Sequence, residues 1–274
     1  ISGYTWLGLV GIEDPVRPSV KDAIALCRRA GIQVKMITGD YRKTAEKVAS
    51  NLGLVVGYGQ ILEGKDLETL STDELQNTIK NVVIFCRVTP HHKLLIVNAL
   101  QASGHITAMI GDGVNDAPAL KEAHIGVAMG KNGTDVSRAS ADLILKDDNF
   151  STIVDAVKEG RTIFSNIQKF SAYQISINVA QTGMVLLSAL FGLPLPLIAI
   201  QILLMNIISD EITAITLAFN PYSKDVMNVS PRKKSHLINR SLFIMIIIAG
   251  LVMTAGALFM FNYVNVIRGE SVAT

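Results

Sequence analysis

Residues 110–120 read Ile-Gly-Asp-Gly-Val-Asn-Asp-Ala-Pro-Ala-Leu and continue an apolar, strand-like run at 105–110. Gly111 and Gly113 lack side chains and tolerate positive φ, so the backbone can lie close to a ligand. Pro118 lies where the first turn of a following helix accepts proline. The loop also carries hard oxygen ligands that suit Mg²⁺, namely Asp112, Asn115 and Asp116. A strand, a glycine-flanked carboxylate loop and a helix N-terminus together predict a site for a phosphoryl group and its metal ion.

Three more motifs accompany this loop in a fixed order along the chain. Residues 12–18 read Ile-Glu-Asp-Pro-Val-Arg-Pro, residues 36–40 read Met-Ile-Thr-Gly-Asp, and residues 87–93 read Arg-Val-Thr-Pro-His-His-Lys. Together with residues 110–120, they resemble the P-type cation-transporting ATPases, which belong to the haloacid-dehalogenase-like phosphotransferases. The resemblance covers essentially the whole chain. It implies that residues 1–150 are the C-terminal portion of a phosphorylation domain.

The composition separates the chain into two parts. Of its 274 residues, 49% are hydrophobic, and the mean hydropathy of +0.38 is high for a soluble protein. Residues 1–170 have the composition of a globular domain, whereas long apolar runs dominate the remainder. The net charge of +2 and the lack of a basic patch interleaved with aromatic residues argue against a nucleic-acid partner. Cys27 and Cys86 lie in apolar settings that predict buried, reduced thiols.

Strand-like and helix-like runs alternate over the first 150 residues, which predicts an α/β, doubly wound parallel sheet. The predicted strands are 5–12, 32–37, 81–86, 105–110, 125–128 and 141–145. The predicted helices are 19–30, 44–52 and 90–102. We expect the polar segment at 56–80 to be a peripheral insertion with one short helix and no chemical role.

Three apolar segments, at about 170–191, 193–219 and 242–266, follow this domain. Each is long enough for a membrane-spanning helix, which needs roughly 20 residues. They predict an α-helical transmembrane bundle within residues 172–274, joined to the soluble domain by a stalk helix at 151–171. The loop between the second and third spans is basic, with Lys224, Arg232, Lys233, Lys234 and Arg240.

The positive-inside rule places this basic loop in the cytoplasm. The sequence thus predicts a multi-pass integral membrane protein, with residues 1–170 and the loop at 220–241 cytoplasmic and residues 268–274 outside. The lipid bilayer is therefore an expected partner.

The four motifs suggest roles for individual residues in phosphoryl transfer, which depends on positioning and on charge neutralisation. We expect Asp112 to hold Mg²⁺ with support from Asp116, and Asn115 to bind a phosphoryl or nucleotide phosphate oxygen. Lys93 would place a positive charge on the transferred group. The residues expected at the carboxyl end of a neighbouring strand are Thr38 and Gly39, which would hold phosphoryl oxygens, and Asp40, which would contact metal or nucleotide.

The resemblance adds further roles and a substrate. It implies that ATP is the substrate, that Arg87 touches the nucleotide, and that Asp14 and Arg17 organise the site from behind. However, the sequence contains no Asp-Lys-Thr-Gly-Thr, the motif that carries the family's phosphorylated aspartate. We therefore expect the C-terminal part of a pump, truncated or encoded by a split gene, that does not turn over ATP without the missing N-terminal half as a partner.

Polar residues interrupt the first two predicted spans, where they are costly and usually functional. Asn178 and Gln181 share one helix face in the first span, and the second span carries Asn206, Ser209 and Asp210. Their oxygens predict a cage for a desolvated cation, although the amides could instead bond only one another. The second span resembles calcium pumps most closely.

One departure from that subgroup affects the expected cation stoichiometry. Gln181 stands where two-site calcium pumps have a glutamate, so we expect at most one high-affinity site for Ca²⁺ or Mn²⁺. Na⁺, K⁺ and H⁺ remain alternatives. Other classes of function also stay open, namely a membrane-anchored haloacid-dehalogenase-like phosphatase and a non-catalytic complementing or regulatory fragment.

Overall fold

The computed structural model describes residues 3–8, 10–11, 15–54, 57, 59–232 and 236–268. Within the helices, the side chains of residues 209, 210, 214, 267 and 268 lie outside this description. The chain divides into two compact units. Unit 1 comprises Ile1–Ala156 and Met227–Pro231, and unit 2 comprises Val157–Val226 and Arg232–Thr274.

The described residues of unit 1 contain six short strands, which form two parallel three-stranded sheets. The first sheet has the order β1-β3-β2 and contains β1 (Met36–Ile37), β2 (Ile61–Glu63) and β3 (Ile84–Cys86). The second has the order β4-β5-β6 and contains β4 (Ala108–Gly111), β5 (Ile125–Met129) and β6 (Leu143–Leu145). Parallel strands joined by helices confirm the predicted α/β fold class.

The helices that accompany these strands are α1 (Pro18–Arg29), α2 (Arg42–Asn51), α3 (Gly64–Leu67), α4 (Thr72–Ile79), α5 (Pro90–Ala102), α6 (Ala117–Glu122) and α7 (Asp135–Ser140). All three residues of β3 are buried, because β3 is the central strand of its sheet and helices cover it. Phe85 packs with Ile96 of α5 and with Ile79 of α4 in the largest apolar cluster. The core of unit 1 therefore lies around β3 and the inner face of α5.

The predicted strand at 5–12 is wrong where the structure describes it. Residues 3–8, 10 and 11 adopt no regular structure, and Trp6 and Leu7 are 78% and 96% exposed. A strand needs a neighbour to satisfy its backbone hydrogen bonds, and none of the described strands pairs with this segment. The apolar run in the sequence therefore has no pairing partner among the described strands.

The expectation of a peripheral insertion at 56–80 is also wrong. Its described part contributes β2, which pairs with β3, and two helices, α3 and α4. Leu67, Leu75 and Ile79 are buried in the main cluster. The ammonium of Lys35 donates to the carbonyl oxygens of Ile79 (2.9 Å), Lys80 (3.1 Å) and Val82 at the end of α4. The many polar residues of the segment occupy its outer face, which hid the apolar positions from a composition-based reading.

The segment Met227–Pro231 belongs to unit 1 although it follows the helices of residues 199–218 in the chain. Met227 packs against the cluster of Ala23, Cys27 and Val154. A side chain at Gly31 would place its Cβ 2.6 Å from Pro231 Cδ, and Gly31 has a φ of +73°. This short return of the chain is therefore closely packed into unit 1.

Unit 2 is helical. Its helices are α8 (Ser151–Leu190, which begins in unit 1), α9 (Ala199–Met205), α10 (Glu211–Ala218) and α11 (Arg240–Arg268), with a π-turn at Asn206–Asp210 between α9 and α10. Among the described residues, two stretches are long and apolar enough to cross a membrane by length and composition, Ala199–Ala218 and Arg240–Val266. The first predicted span lies within α8 and is not one of them, so the three-span topology stays a prediction. α8 and α11 pack closely, since a Cβ at Gly250 would lie 2.6 Å from Val179.

Candidate functional site

Lys93 is held near Asp116 by the way α5 begins. Thr89 caps the helix: its hydroxyl accepts the His92 N–H (3.4 Å), and its own N–H donates to His92 Nδ1 (3.2 Å). Pro90 occupies the first turn, where its missing N–H costs nothing. Lys93 follows in the same turn, and its ammonium donates to Asp116 Oδ1. The start of α5 thus directs the lysine at the loop after β4.

The Lys93–Asp116 ion pair is shielded from solvent. The side chain of Lys93 is 20% exposed and that of Asp116 is 7% exposed, so solvent screens the attraction between the two charges less than in a surface ion pair. The second carboxylate oxygen of Asp116 accepts the Gly113 N–H at 3.2 Å. A Cβ at Gly111 would lie 2.5 Å from Asp116 Cβ, which explains the glycine there. Asp116 is therefore engaged with protein groups.

Asp112 has the opposite environment. Its carbonyl oxygen accepts the Thr134 N–H (2.9 Å) and the Ser137 hydroxyl (3.0 Å) at the start of α7. Its carboxylate is exposed and makes no hydrogen bond with the residues that the structure describes. Asn115 is likewise exposed. The backbone of Asp112 is fixed while its carboxylate stays available to a ligand.

The loops after β1 and β3 form a second group. The Thr38 hydroxyl donates to Asp40 Oδ2 (2.9 Å) and accepts the Asp40 N–H (3.1 Å). The Arg87 N–H donates to the Asp40 carbonyl (3.0 Å), and the Val88 N–H donates to the Thr38 carbonyl (3.2 Å). Gly39 is exposed between them. The structure thus brings Thr38, Asp40 and Arg87 together.

The group of Lys93, Asp112 and Asp116 and the group of Thr38, Asp40 and Arg87 are connected by apolar packing. No hydrogen bond joins them in the described part of the chain. Ile37, which precedes Thr38, packs against the cluster that contains Met109 of β4 and Leu120 of α6. Met109 lies three residues before Asp112. β1 and β4 are each at the end of a sheet, and no described strand pairs with their outer edges. Both groups follow the carboxyl ends of these two strands, where parallel sheets bind ligands.

Of the residues expected behind the site, Asp14 lies outside the described residues. Arg17 donates to the carbonyl oxygen of Asp148, and its expected role behind the site stays a prediction. Asp148 is buried with a φ of +54°, and its carboxylate accepts the N–H groups of Gly130 (2.7 Å), Lys131 (2.9 Å) and Asn132 (2.8 Å). The hydrogen bond from Lys131, with those from Asn132 and Gly130, holds the pKa of Asp148 below its usual value.

Three residues near the site were not singled out from the sequence. Tyr41 stacks under Arg87, His92 completes the cap of α5, and Asp148 anchors the loop at 130–132. The position of Tyr41 directly after the Thr-Gly-Asp motif was a usable signal. The spacing of Thr89 and His92 was a second one, because it is that of a capping box with histidine as the reciprocal acceptor. Nothing in the sequence marks Asp148.

In unit 2, the predicted ion-path residues are only partly brought together. Gln181 Nε2 donates to Asn206 Oδ1 at 3.2 Å, which joins α8 to the start of the π-turn. Asn178 is exposed and makes no hydrogen bond with a described residue, although it shares a face of α8 with Gln181. Ser209 and Asp210 lie in the π-turn, but their side chains are outside the described residues. The ion site therefore stays a prediction.

Comparison with known proteins matches each unit to a family. Residues 3–124 match the family described as haloacid dehalogenase-like hydrolase, and residues 194–274 match the family described as cation transporting ATPase, C-terminus. A haloacid-dehalogenase-like domain followed by the helices of a cation-transporting ATPase defines the class of protein. The chain belongs to the P-type cation-transporting ATPases, as the motifs predicted.

The relatives include calcium-transporting ATPases. The calcium-transporting ATPase of Bacillus subtilis (strain 168) is 50% identical over 228 residues, which are 83% of this chain and 26% of the relative. The human calcium-transporting ATPase type 2C member 2 is 45% identical over 94% of this chain and 27% of its own length. The cation-transporting ATPase pma1 of Synechocystis sp. is 43% identical over 96% of this chain and 29% of its own length. The chain spans about a quarter of the length of the curated relatives it matches.

Proposed function

We propose that this chain is the C-terminal part of a pump that uses ATP, through an aspartyl phosphate, to move Ca²⁺ or Mn²⁺ across a membrane. The observation that carries the proposal is the shielded ion pair of Lys93 and Asp116 beside the exposed carboxylate of Asp112. This arrangement offers one fixed positive charge and one free hard ligand at the end of a parallel strand. Both are what phosphoryl transfer requires.

Each side chain has a distinct task in this proposal. Lys93 neutralises charge on the transferred phosphoryl group, and Asp116 holds the lysine in place. The hydroxyl of Thr38 and the N–H of Gly39 bind phosphoryl oxygens, Asn115 binds a phosphate oxygen, and Arg87 and Asp40 contact the nucleotide. The last two assignments rest on the family resemblance and on the geometry that joins the loops after β1 and β3.

The donor set fits Mg²⁺ that is bound together with a phosphate. The described residues contain no group of three His, Cys, Asp or Glu side chains that could hold a metal ion. Mg²⁺ commonly takes one or two carboxylates and completes its coordination with phosphate oxygens and water, so Asp112 is a sufficient protein ligand. When bound, the ion would supply further neutralisation of the phosphoryl charge.

The nucleophilic aspartate must come from elsewhere, because the sequence lacks its motif. The outer edges of β1 and β4 each lack a partner among the described strands. Ile37 of β1 packs against the apolar cluster that contains Met109 of β4. A parallel strand added between them would end between Thr38 and Asp112. We assign this strand to the N-terminal half of the pump.

The transported cation is assigned to the contact between α8 and the π-turn at Asn206–Asp210. A π-turn leaves backbone carbonyl oxygens out of the regular helix pattern, and such turns are frequent at functional sites. Gln181 and Asn206 supply amide oxygens there, with Asn178, Ser209 and Asp210 as further candidate ligands. In this proposal α8, α9–α10 and α11 span the membrane, and residues 1–170 and 220–241 are cytoplasmic.

Complementation tests the proposal. We would co-express the chain with an N-terminal segment that carries Asp-Lys-Thr-Gly-Thr, and measure acid-stable ³²P on that segment after addition of γ-labelled ATP, Mg²⁺ and Ca²⁺ or Mn²⁺. Lys93→Ala should lower the labelling rate by about 100-fold. Lys121→Ala, which changes an exposed lysine of α6, should leave it unchanged.

Three outcomes would contradict parts of the proposal. Labelling that does not depend on Lys93 would remove the assigned site. Labelling that responds to Na⁺ but to neither Ca²⁺ nor Mn²⁺ would exclude the assigned cations. Hydrolysis of phosphate esters by the chain without its partner would favour a membrane-anchored phosphatase instead.

A further inference from the structure

Arg87 has a backbone conformation that few residues other than glycine adopt. Its φ is +52°, and Asp148 is the only other non-glycine residue with positive φ among those that the structure describes. The Arg87 N–H donates to the Asp40 carbonyl at 3.0 Å. The Arg87 carbonyl passes so close to Gly64 that a Cβ there would lie 2.4 Å from its oxygen. The surrounding structure therefore imposes this conformation on Arg87.

The turned backbone places the Arg87 side chain over the ring of Tyr41. The guanidinium carbon lies 4.7 Å from the centre of the ring, within the range of a cation–π interaction. Tyr41 itself is 67% exposed. The guanidinium forms no hydrogen bond with a described residue, so its N–H groups remain available to a ligand.

An exposed ring contributes little to the stability of unit 1, since little of it is removed from water. A strained residue that the fold enforces is instead a common mark of a functional site. Tyr41 follows the Thr-Gly-Asp motif directly in the sequence. Arg87 is attached to the same loop through its N–H, which donates to the Asp40 carbonyl. The strain, the stack and the unused donors thus occur at one place.

We infer that Tyr41 is a positioning residue for nucleotide binding, which holds the Arg87 guanidinium ready to bond the nucleotide. This inference rests on the proposed function, in which Arg87 contacts ATP. A planar guanidinium stacks on an aromatic ring and keeps its N–H groups in a fixed fork, which an ammonium does not do. Without the ring, Arg87 would lose conformational freedom on binding the nucleotide, and affinity would fall.

The experiment uses the full chain in detergent micelles with ¹⁵N-labelled arginine. In Tyr41→Leu, the Arg87 Nε–H signal should show greater mobility than in the unsubstituted chain, and the dissociation constant for MgATP should rise about three- to five-fold. Tyr41→Phe keeps the ring and should match the unsubstituted chain in both measurements. Arg87→Lys should weaken the binding of MgATP. In the double variant, Tyr41→Leu should cause no further weakening, because Arg87→Lys has already removed the stack.

The outcomes separate this inference from the function on which it rests. Binding of MgATP that Arg87→Lys weakens and Tyr41→Leu does not would overturn the role of Tyr41 and leave the proposed function intact. If Tyr41→Leu weakens the binding of MgATP equally in the unsubstituted chain and in Arg87→Lys, the ring contacts the nucleotide directly. That result would also overturn the positioning role of Tyr41. Failure of the unsubstituted chain to bind MgATP would contradict the nucleotide role of Arg87 and the inference together. Thermal unfolding of Tyr41→Leu should be unchanged, since the side chain is exposed.

Discussion

Asp112, Asp116 and Asp148 all lie around the loops of unit 1, but they differ in burial and therefore in what each carboxylate does. Asp116 is buried against Lys93 and cannot leave it without stranding a charge. Asp112 is exposed, and its hydrogen bonds with described residues all involve its backbone. Asp148 is buried and bonded by three backbone N–H groups. The sequence presents all three as aspartates in loops, and only the environment of each carboxylate distinguishes ion pairing, ligand binding and loop anchoring.

Asp148→Asn should remove an acid-dependent part of the stability of unit 1. The pKa of Asp148 is held below its usual value by the N–H of Lys131 and its neighbours, so the carboxylate stabilises the folded chain above the unfolded pKa, which is about 3.9. That contribution is lost as the pH falls through the lower, folded pKa. The melting temperatures of the two proteins should therefore differ most near neutral pH and converge in acid.

The measurement is thermal unfolding by circular dichroism between about pH 2 and pH 7, a window that includes the unfolded pKa. Asp22→Asn, at an exposed position of α1, is the matched control and should leave the curve unchanged. A constant difference between Asp148→Asn and the unsubstituted chain at every pH would show that the carboxylate charge is not responsible.

At the scale of elements, helix α5 and the segment at 56–80 show what local pattern can and cannot predict. The prediction for α5, residues 90–102, agrees with the structure at both ends, because its cap, its first-turn proline and the glycine after it are all local signals. The prediction of a peripheral insertion at 56–80 was wrong because β2 forms by pairing with β3. This contact is non-local, so the local pattern does not show it. The same reason explains why the described residues of 5–12 form no strand: the segment is apolar in sequence but pairs with none of the described strands.

Lys35→Met should loosen α4 more than the other helices of unit 1. The ammonium of Lys35 serves three carbonyl oxygens at the end of this helix, and burial lowers its pKa. Its removal leaves these acceptors without a donor and should cost about 1–3 kcal/mol. Amide hydrogen exchange should accelerate in residues 72–82, while α1 retains its protection. Lys35→Arg keeps a cation and should restore part of the protection, whereas uniform acceleration across unit 1 would contradict a local role.

At the scale of the whole molecule, the alternation of strands and helices and the apolar runs predicted an α/β domain followed by helices. The division of the strands into two sheets could not be predicted, because each sheet depends on which strands pair. The loops after β1, β3 and β4 were identified from their residue types, as was Lys93 on α5. Their hydrogen bonds to Asp40, Asp116 and Gly113 depend on backbone paths that no motif encodes.

α8 is a single helix of 40 residues that begins in unit 1 and continues through unit 2. At a rise of about 1.5 Å per residue, it extends over roughly 60 Å. Ile163 is 57% exposed on this helix, so a substitution there disturbs the helix more than its surroundings. Ile163→Pro removes a backbone donor and kinks the helix. In the complemented pump it should lower cation transport per ATP hydrolysed, while Ile163→Ala should not. An unchanged ratio in Ile163→Pro would show that the helix does not couple the two activities.

The return of Met227–Pro231 to unit 1 has a consequence for biosynthesis. Met227 covers Ala23, Cys27 and Val154, and Pro231 abuts Gly31, yet about seventy residues of helical chain lie between Ala156 and Met227. A ribosome must therefore finish helices α8 to α10 before unit 1 receives this segment. During that interval the surface of Ala23, Cys27 and Val154 that Met227 covers stays exposed to solvent, so the folding of unit 1 is completed only after translation has passed Pro231.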